Sequence, residues 1–260
     1  MNTIKSQKFA FMKGEIMKKL ISTLLVVVLS VCLIACSGGN VNTTEPTPDG
    51  NTNSVTLSVK SIEELDLLVE KDVEDTVALL QKDFADLTEE ITNYDQYVQN
   101  IDKVKAFYDK IIQQNEAVCI RLREYSVDYV QLIMNSNMTM DEREDALDDT
   151  FESIYEDAEE DLYDGIYEGV MEDMFGYFYD GILSDGYDFD IYEEWLDIQS
   201  DEYDMYLETS SEVFDCILDM SSDVLDFWLD VSAHVWEDVE DVYDEITDFE
   251  EDIKELKEHK

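Results

Sequence analysis

Residues 192–257 read YEEWLDIQSDE, YDMYLETSSEV, FDCILDMSSDV, LDFWLDVSAHV, WEDVEDVYDEI and TDFEEDIKELK, six consecutive blocks of eleven. The first position is Tyr192, Tyr203, Phe214, Leu225 and Trp236 before the pattern fades. The second and sixth are always Asp or Glu. The fourth is Trp195, Tyr206, Ile217, Trp228 and Val239, and the fifth is Leu196, Leu207, Leu218 and Leu229. Ser200, Ser211, Ser222 and Ala233 place a small residue at regular height. Eleven residues make three turns at about 3.67 per turn, so the apolar stripe stays straight along the axis. The spacing predicts one helix from about 190 to 258. Its wide, aromatic stripe is expected to pack on other helices or to offer a surface to an apolar partner or lipid.

Working back, no proline occurs beyond Pro48, which suits long helices. Ser61 with Glu64 reads as a capping box. Apolar residues recur along one stripe from Ile62 to Leu132, and from Val77 onward the steps alternate three and four, a heptad-like seam. One helix is expected over 60–136, roughly 110 Å long at 1.5 Å per residue. Asn135-Ser136-Asn137-Met138 interrupts it. Thr139 with Glu142 opens a second helix, expected over 139–183. Here Ile154-Tyr155, Ile166-Tyr167 and Phe178-Tyr179 recur every twelve residues, with Gly165, Gly169, Gly176 and Gly181 among them. Each glycine costs about 1 kcal/mol of helix propensity against Ala, so each marks a close helix approach or a bend. A second turn follows at 184–188.

The expected fold is therefore all-α: three long helices in an antiparallel, coiled-coil-like or up-down-up bundle. The first and third are longer than the second, so one end is either two helices wide or recruits another copy to form a homo-oligomer. Apolar residues make up 45% of the chain and aromatics 11%, in periodic order, which favours folded helices over the disorder that high charge alone suggests.

The charge is extreme: 17 Lys and Arg against 65 Asp and Glu, a formal net of −48. Between residues 144 and 253 there are 41 acids and no Lys or Arg. Such a field repels nucleic acid and anionic head groups and attracts metal cations or basic peptides. The bland alternative is a solvated face that keeps the protein soluble. Asp185, Asp188 and Asp190 cluster in the second turn as a weak candidate cation site. They lack the Asp-x-Asp-x-Asp-Gly order and the later Glu of a calcium loop, so turn formation and capping suit them better. No defined metal or cofactor site is expected, beyond calcium held diffusely. No phosphate loop, His-Glu-x-x-His, Gly-x-Ser-x-Gly or Cys-x-x-Cys occurs, which argues against an enzyme. Cys119 and Cys216 lie on apolar stripes, where a cysteine serves as a small hydrophobe or, in an exported chain, joins a disulfide.

The N-terminal region speaks to location. Residues 17–36 read MKKLISTLLVVVLSVCLIAC: two lysines, an apolar core and a small residue before Cys36, the marks of a secretory signal peptide at 17–35. Its core, about 16 residues, is shorter than the roughly 20 needed to span a bilayer. Leu33-Ile34-Ala35-Cys36 resembles the lipobox of bacterial lipoproteins. That resemblance implies a diacylglyceryl group on the Cys36 thiol and cleavage before it. The mature chain would then be exported and lipid-anchored to the membrane through Cys36, facing outside the cytoplasm. Residues 36–59, rich in Gly, Asn, Thr and Ser with Pro46 and Pro48, read as a flexible stalk. Residues 1–16 fit poorly ahead of the signal. Lys13-Gly14-Glu15-Ile16-Met17 spells a translated ribosome-binding site and start codon, so synthesis is expected to begin at Met17. Together these features predict a non-enzymatic, lipid-anchored helical module that docks a protein partner, a basic one being suited to its charge. The alternative is an acidic protein that handles divalent cations or basic peptides.

Overall fold

A computed structural model describes residues 61–184, 192–234 and 239–258. All of them belong to one compact unit, Val55–Lys260, with a core drawn from its own residues. The described residues are helical, with no strand among them. None of their helices is long and apolar enough to cross a membrane. The signal-like segment, Cys36 and the stalk lie outside the described residues, as do Asp185, Asp188 and Asp190.

Helix α1 (Ile62–Glu90) starts at Ser61, whose side chain accepts from the Glu64 N–H at 3.2 Å. The single helix expected over 60–136 does not continue past Glu90. Ile91 turns to extended backbone and is fully buried. Asn93 caps α2 (Tyr94–Gln99) by accepting from the Gln96 N–H at 3.1 Å, and the Gln96 Oε1 accepts from the Thr92 N–H at 2.8 Å. Side chains that hydrogen-bond nearby backbone offer the chain an alternative to helix, and here the alternative wins. α3 (Ile101–Met134) then runs back along α1. Lys103 bridges to Glu90, Lys110 to Asp83 and Arg121 to Asp72, while the Tyr129 hydroxyl donates to Asp66. The seam read as one long helix is a hairpin zipped on itself.

The region expected as one helix over 190–258 also differs. It forms α7 (Tyr192–His234) and α8 (Val239–Glu258). Phe227 stacks on Phe249 with ring centroids 4.3 Å apart. His234 lies 3.8 Å from Asp241 and 4.0 Å from Glu245. α8 therefore runs antiparallel to α7, and the eleven-residue pattern carries on through the reversal. Both hairpins absorb, within one chain, the length mismatch that suggested an open end.

Between them stands a helical run, entered through Thr139, which makes a full capping box with Glu142. It comprises α4 (Met140–Phe151), α5 (Ala158–Leu162) and α6 (Glu172–Met174), joined by π-helical segments π1 (Glu152–Asp157), π2 (Tyr163–Met171) and π3 (Phe175–Leu183). The sequence explains the π character. Thr150, Ile154, Ala158, Leu162, Ile166, Val170, Met174, Phe178 and Ile182 are buried, one at every fourth position. An α-helix of 3.6 residues per turn would rotate such a row by about 40° at each step. Over this length the row would travel most of the way around the axis. The i→i+5 bonds of π-helix put more residues in each turn, and alternating them with α turns straightens the row onto one face. The twelve-residue recurrence is three turns of four.

The run lies parallel to α1 and antiparallel to α7. α7 in turn lies parallel to α3, as Lys105–Glu202, Asn115–Val213 and Arg123–Asp223 show in order. α3 is the central rod, packed against α1, α4, α7 and α8. Cys119 is buried on it, and Cys216 is half-buried on α7.

Two glycines make a matched prediction. A Cβ on Gly165 would sit 2.5 and 2.9 Å from the two γ-carbons of Val77, whereas nothing lies within 4 Å of one on Gly176. Val77 is short and branched, so α1 must move. Gly165→Ala is expected to destabilise by about 1–3 kcal/mol through overpacking. Gly176→Ala should stabilise by about 0.5–1 kcal/mol through helix propensity. Urea denaturation of both variants checks the opposite signs.

Candidate functional site

A helix of four residues per turn has four straight faces, and the run uses each differently. One is the buried row. Next to it lies an aromatic file. Phe151 stacks on Tyr155, Tyr163 on Tyr167 and Phe175 on Tyr179, with centroids 4.7, 5.0 and 4.6 Å apart. These pairs repeat every twelve residues. They meet the first position of the α7 repeat: Phe214 lies 5.9 and 5.8 Å from Tyr163 and Tyr167, and Tyr203 lies 5.8 and 5.3 Å from Phe175 and Tyr179. Twelve residues of the run thus span the same height as eleven of α7, since each makes three turns. Burial pushes the Tyr163 hydroxyl up to about 12.

The opposite flank faces α1. It carries Ser153, Asp157, Asp161, Gly165, Gly169 and Tyr177, whose hydroxyl donates to the Thr88 and Ile91 carbonyls at 3.1 and 3.0 Å. Near its start it borders a cleft of about 320 Å³. Asp66, Glu70, Asp157, Glu160 and Asp161 rim the cleft over a floor of Val69, Val73 and Ala158, with no basic side chain in its lining.

The fourth face is exposed and acidic. From Glu144 every fourth residue is Asp or Glu as far as Asp180, with Gly176 the only exception. Side chains four apart on a helix sit about 5–6 Å from each other, and each like-charged pair costs a few tenths of a kcal/mol. The pattern is legible in the sequence, but it is hidden by the habit of reading helices at 3.6.

Cations are distributed the other way. Lys103, Lys110 and Arg121 on α3 pair with α1; Lys105 and Arg123 approach α7; Lys257 of α8 pairs with Glu124. These six bases join helices along α3, whereas Lys71 and Lys82 pair within α1 with Asp75 and Asp86; residues 144–253 carry acids and no Lys or Arg. Several acids at the seams are partly removed from water. Burial pushes Asp128, Glu159, Glu202 and Asp223 above the usual carboxylate range, despite a Tyr97 hydroxyl and Lys105 at 4.0 Å beside Glu202 and Arg123 beside Asp223. Among the described residues no group of three or more His, Cys, Asp or Glu is placed to hold a metal ion.

No protein-family model matches this chain, and neither does any curated protein or solved structure with which it was compared.

Proposed function

We propose that the chain is a lipid-anchored helical interaction module of the cell envelope. Cys36 holds it to the membrane, and an acidic face meets a protein partner of opposite charge. It works by docking and not by catalysis. The observation that carries the reading is the segregation of charge. Lys103, Lys105, Lys110, Arg121, Arg123 and Lys257 sit in ion pairs between helices along α3, while the helical run and α7 present acids in straight rows. Complementary charge speeds encounter and suppresses wrong partners more than it adds affinity. Nucleic acid and anionic membrane surfaces are poor partners for this field. The anchor rests on the signal-like segment and its Leu-Ile-Ala-Cys end. Two acyl chains, at about 0.8 kcal/mol per buried CH₂, hold a protein firmly.

Mass spectrometry of the membrane-recovered protein tests the anchor. The expected N-terminal residue is Cys36 carrying a diacylglyceryl group, with Cys36→Ser left unprocessed. An unmodified Cys36 inside an intact chain would refute it.

The acid-rimmed cleft between α1 and π1 favours a second reading, in which the protein handles divalent cations. Thermal unfolding in millimolar calcium and in sodium chloride at matched ionic strength separates the two. Docking predicts equal midpoints, since exposed charges are screened alike. A midpoint raised only by calcium would mean ions bound to the folded state.

A further inference from the structure

The core side of α7 is built from the fourth, seventh and eleventh positions of its repeat, among them Tyr206, Ile217, Met220, Val224, Trp228 and Val231, all buried. The fifth position is not part of it. Leu196, Leu207, Leu218 and Leu229 are 38–43% exposed. Single exposed leucines are ordinary. These four recur every three turns and so form one straight file about 50 Å long. The file ends with its helix, because the next fifth position, Glu240, lies on α8. Packing within the bundle gives no reason for leucine at four positions this open.

The surroundings of the file say what fits on it. On the outward side Ser200, Ser211 and Ser222 are exposed and small, which leaves room for a second backbone to approach. Beyond them stand the second and sixth positions, Glu193 and Asp197 through Asp226 and Asp230, every one an exposed acid. A second copy of this chain on the file would set those rows against themselves, and like charges juxtaposed across an interface oppose association. An anionic lipid surface meets the same repulsion. A helix with an apolar stripe flanked by Lys or Arg meets neither.

We propose that the Leu196–Leu229 file with its flanking acid rows is the docking site for a basic amphipathic helix of a partner protein. The proposal rests on the docking reading above and gives it a location. The unit Val55–Lys260 retains every described core residue, so it serves as the test protein.

The probe is a labelled synthetic peptide of three eleven-residue repeats, with Leu at the first and fifth positions and Lys at the second and sixth. Its control is a scrambled peptide of the same composition. Fluorescence anisotropy is expected to show at least tenfold tighter binding of the striped peptide. Leu207→Ser with Leu218→Ser should abolish that preference, with helicity by circular dichroism unchanged. Glu208→Lys with Asp215→Lys, two exposed sites in the flanking rows, should weaken the striped peptide at least tenfold, so the test stands even if the leucine variant unfolds. Equal binding of both peptides, or a preference that survives the variants, would overturn the location and leave the docking reading intact. No binding of either peptide would overturn both. A dimer by sedimentation that the leucine variant dissolves would give the file to a second copy and overturn the proposal.

Discussion

Lowering the pH from 7.5 to about 5 is expected to raise the thermal midpoint of this protein, the reverse of ordinary acid lability. Burial pushes Asp128, Glu159, Glu202, Asp223 and Glu245 above their ordinary values of 3.8 for Asp and 4.5 for Glu. The folded state therefore holds those protons more tightly than the unfolded chain does. Between the ordinary value and the raised one the native state binds more protons, so stability falls as pH rises through that window. Glu63 and Glu142 have the opposite sign. Backbone hydrogen bonds at the helix starts lower them, so their contribution is lost only as pH drops below about 4.5. The net charge of −48 adds self-repulsion that protonation relieves. Stability should therefore rise as the pH is lowered from neutral toward the ordinary carboxylate values, and fall again below them as the helix-start carboxylates lose their charge.

Glu202→Gln separates burial from general charge. Glu202 is 7% exposed, and Gln keeps an acceptor for the Tyr97 hydroxyl without the ion. The variant should melt higher than the parent at pH 7.5, with the gap narrowing as the pH is lowered. A midpoint that falls steadily on acidification, or a Gln variant less stable at pH 7.5, would refute the account.

Arg123→Glu is the substitution with the largest expected cost. Arg123 is 5% exposed on α3, and its Nη2 lies 3.0 Å from Asp223 Oδ2. Asp223 in turn feels Asp219 on α7 and Asp252 on α8. One buried cation thus serves the junction of three helices. Asp223 is itself about half exposed, so the ion pair alone contributes modestly. Reversal does more, because it leaves a carboxylate buried among carboxylates. Breaking a buried pair costs about 3–5 kcal/mol before that repulsion is added, against a typical total stability of about 5–15. The variant should lose at least about 4 kcal/mol, dropping the midpoint by about 8 °C or more, and should recover part of it on acidification, where the new Glu can protonate. Arg123→Met keeps the aliphatic packing and leaves Asp223, half exposed, to water, so it should cost only about 1–3 kcal/mol. Equal losses for Met and Glu, measured by urea denaturation, would show that size and not charge matters at this site.

Much of the acidic surface was legible residue by residue. The absence of Lys and Arg from 144 to 253 and the acid at every second and sixth position of the repeat are plain to the eye. The fourfold files of the run were equally present, in Glu152, Glu156, Glu160 and Asp164, but a fixed turn of 3.6 residues scatters them around a helix. Gly165 signalled a close approach and Val77 supplies it. Nothing in the sequence separated Gly165 from Gly176, since the difference lies in which helix stands opposite. Arg123 looked like one base among several on a mixed-charge helix, and only burial singles it out.

The two reversals mark the boundary most clearly. Apolar periodicity by itself determined that the chain is helical and which side of each segment faces inward, because burial rewards any path that keeps the stripe covered. It did not determine direction. A stripe at steps of three and four, or of eleven, is satisfied equally by a long rod awaiting a partner and by a hairpin zipped on itself. Ile91-Thr92-Asn93 tips that balance with three local hydrogen bonds, and pairs such as Arg121–Asp72 and Phe227–Phe249 hold the folded-back form. Those pairs join residues far apart in the chain, so only the tertiary structure decided between the two.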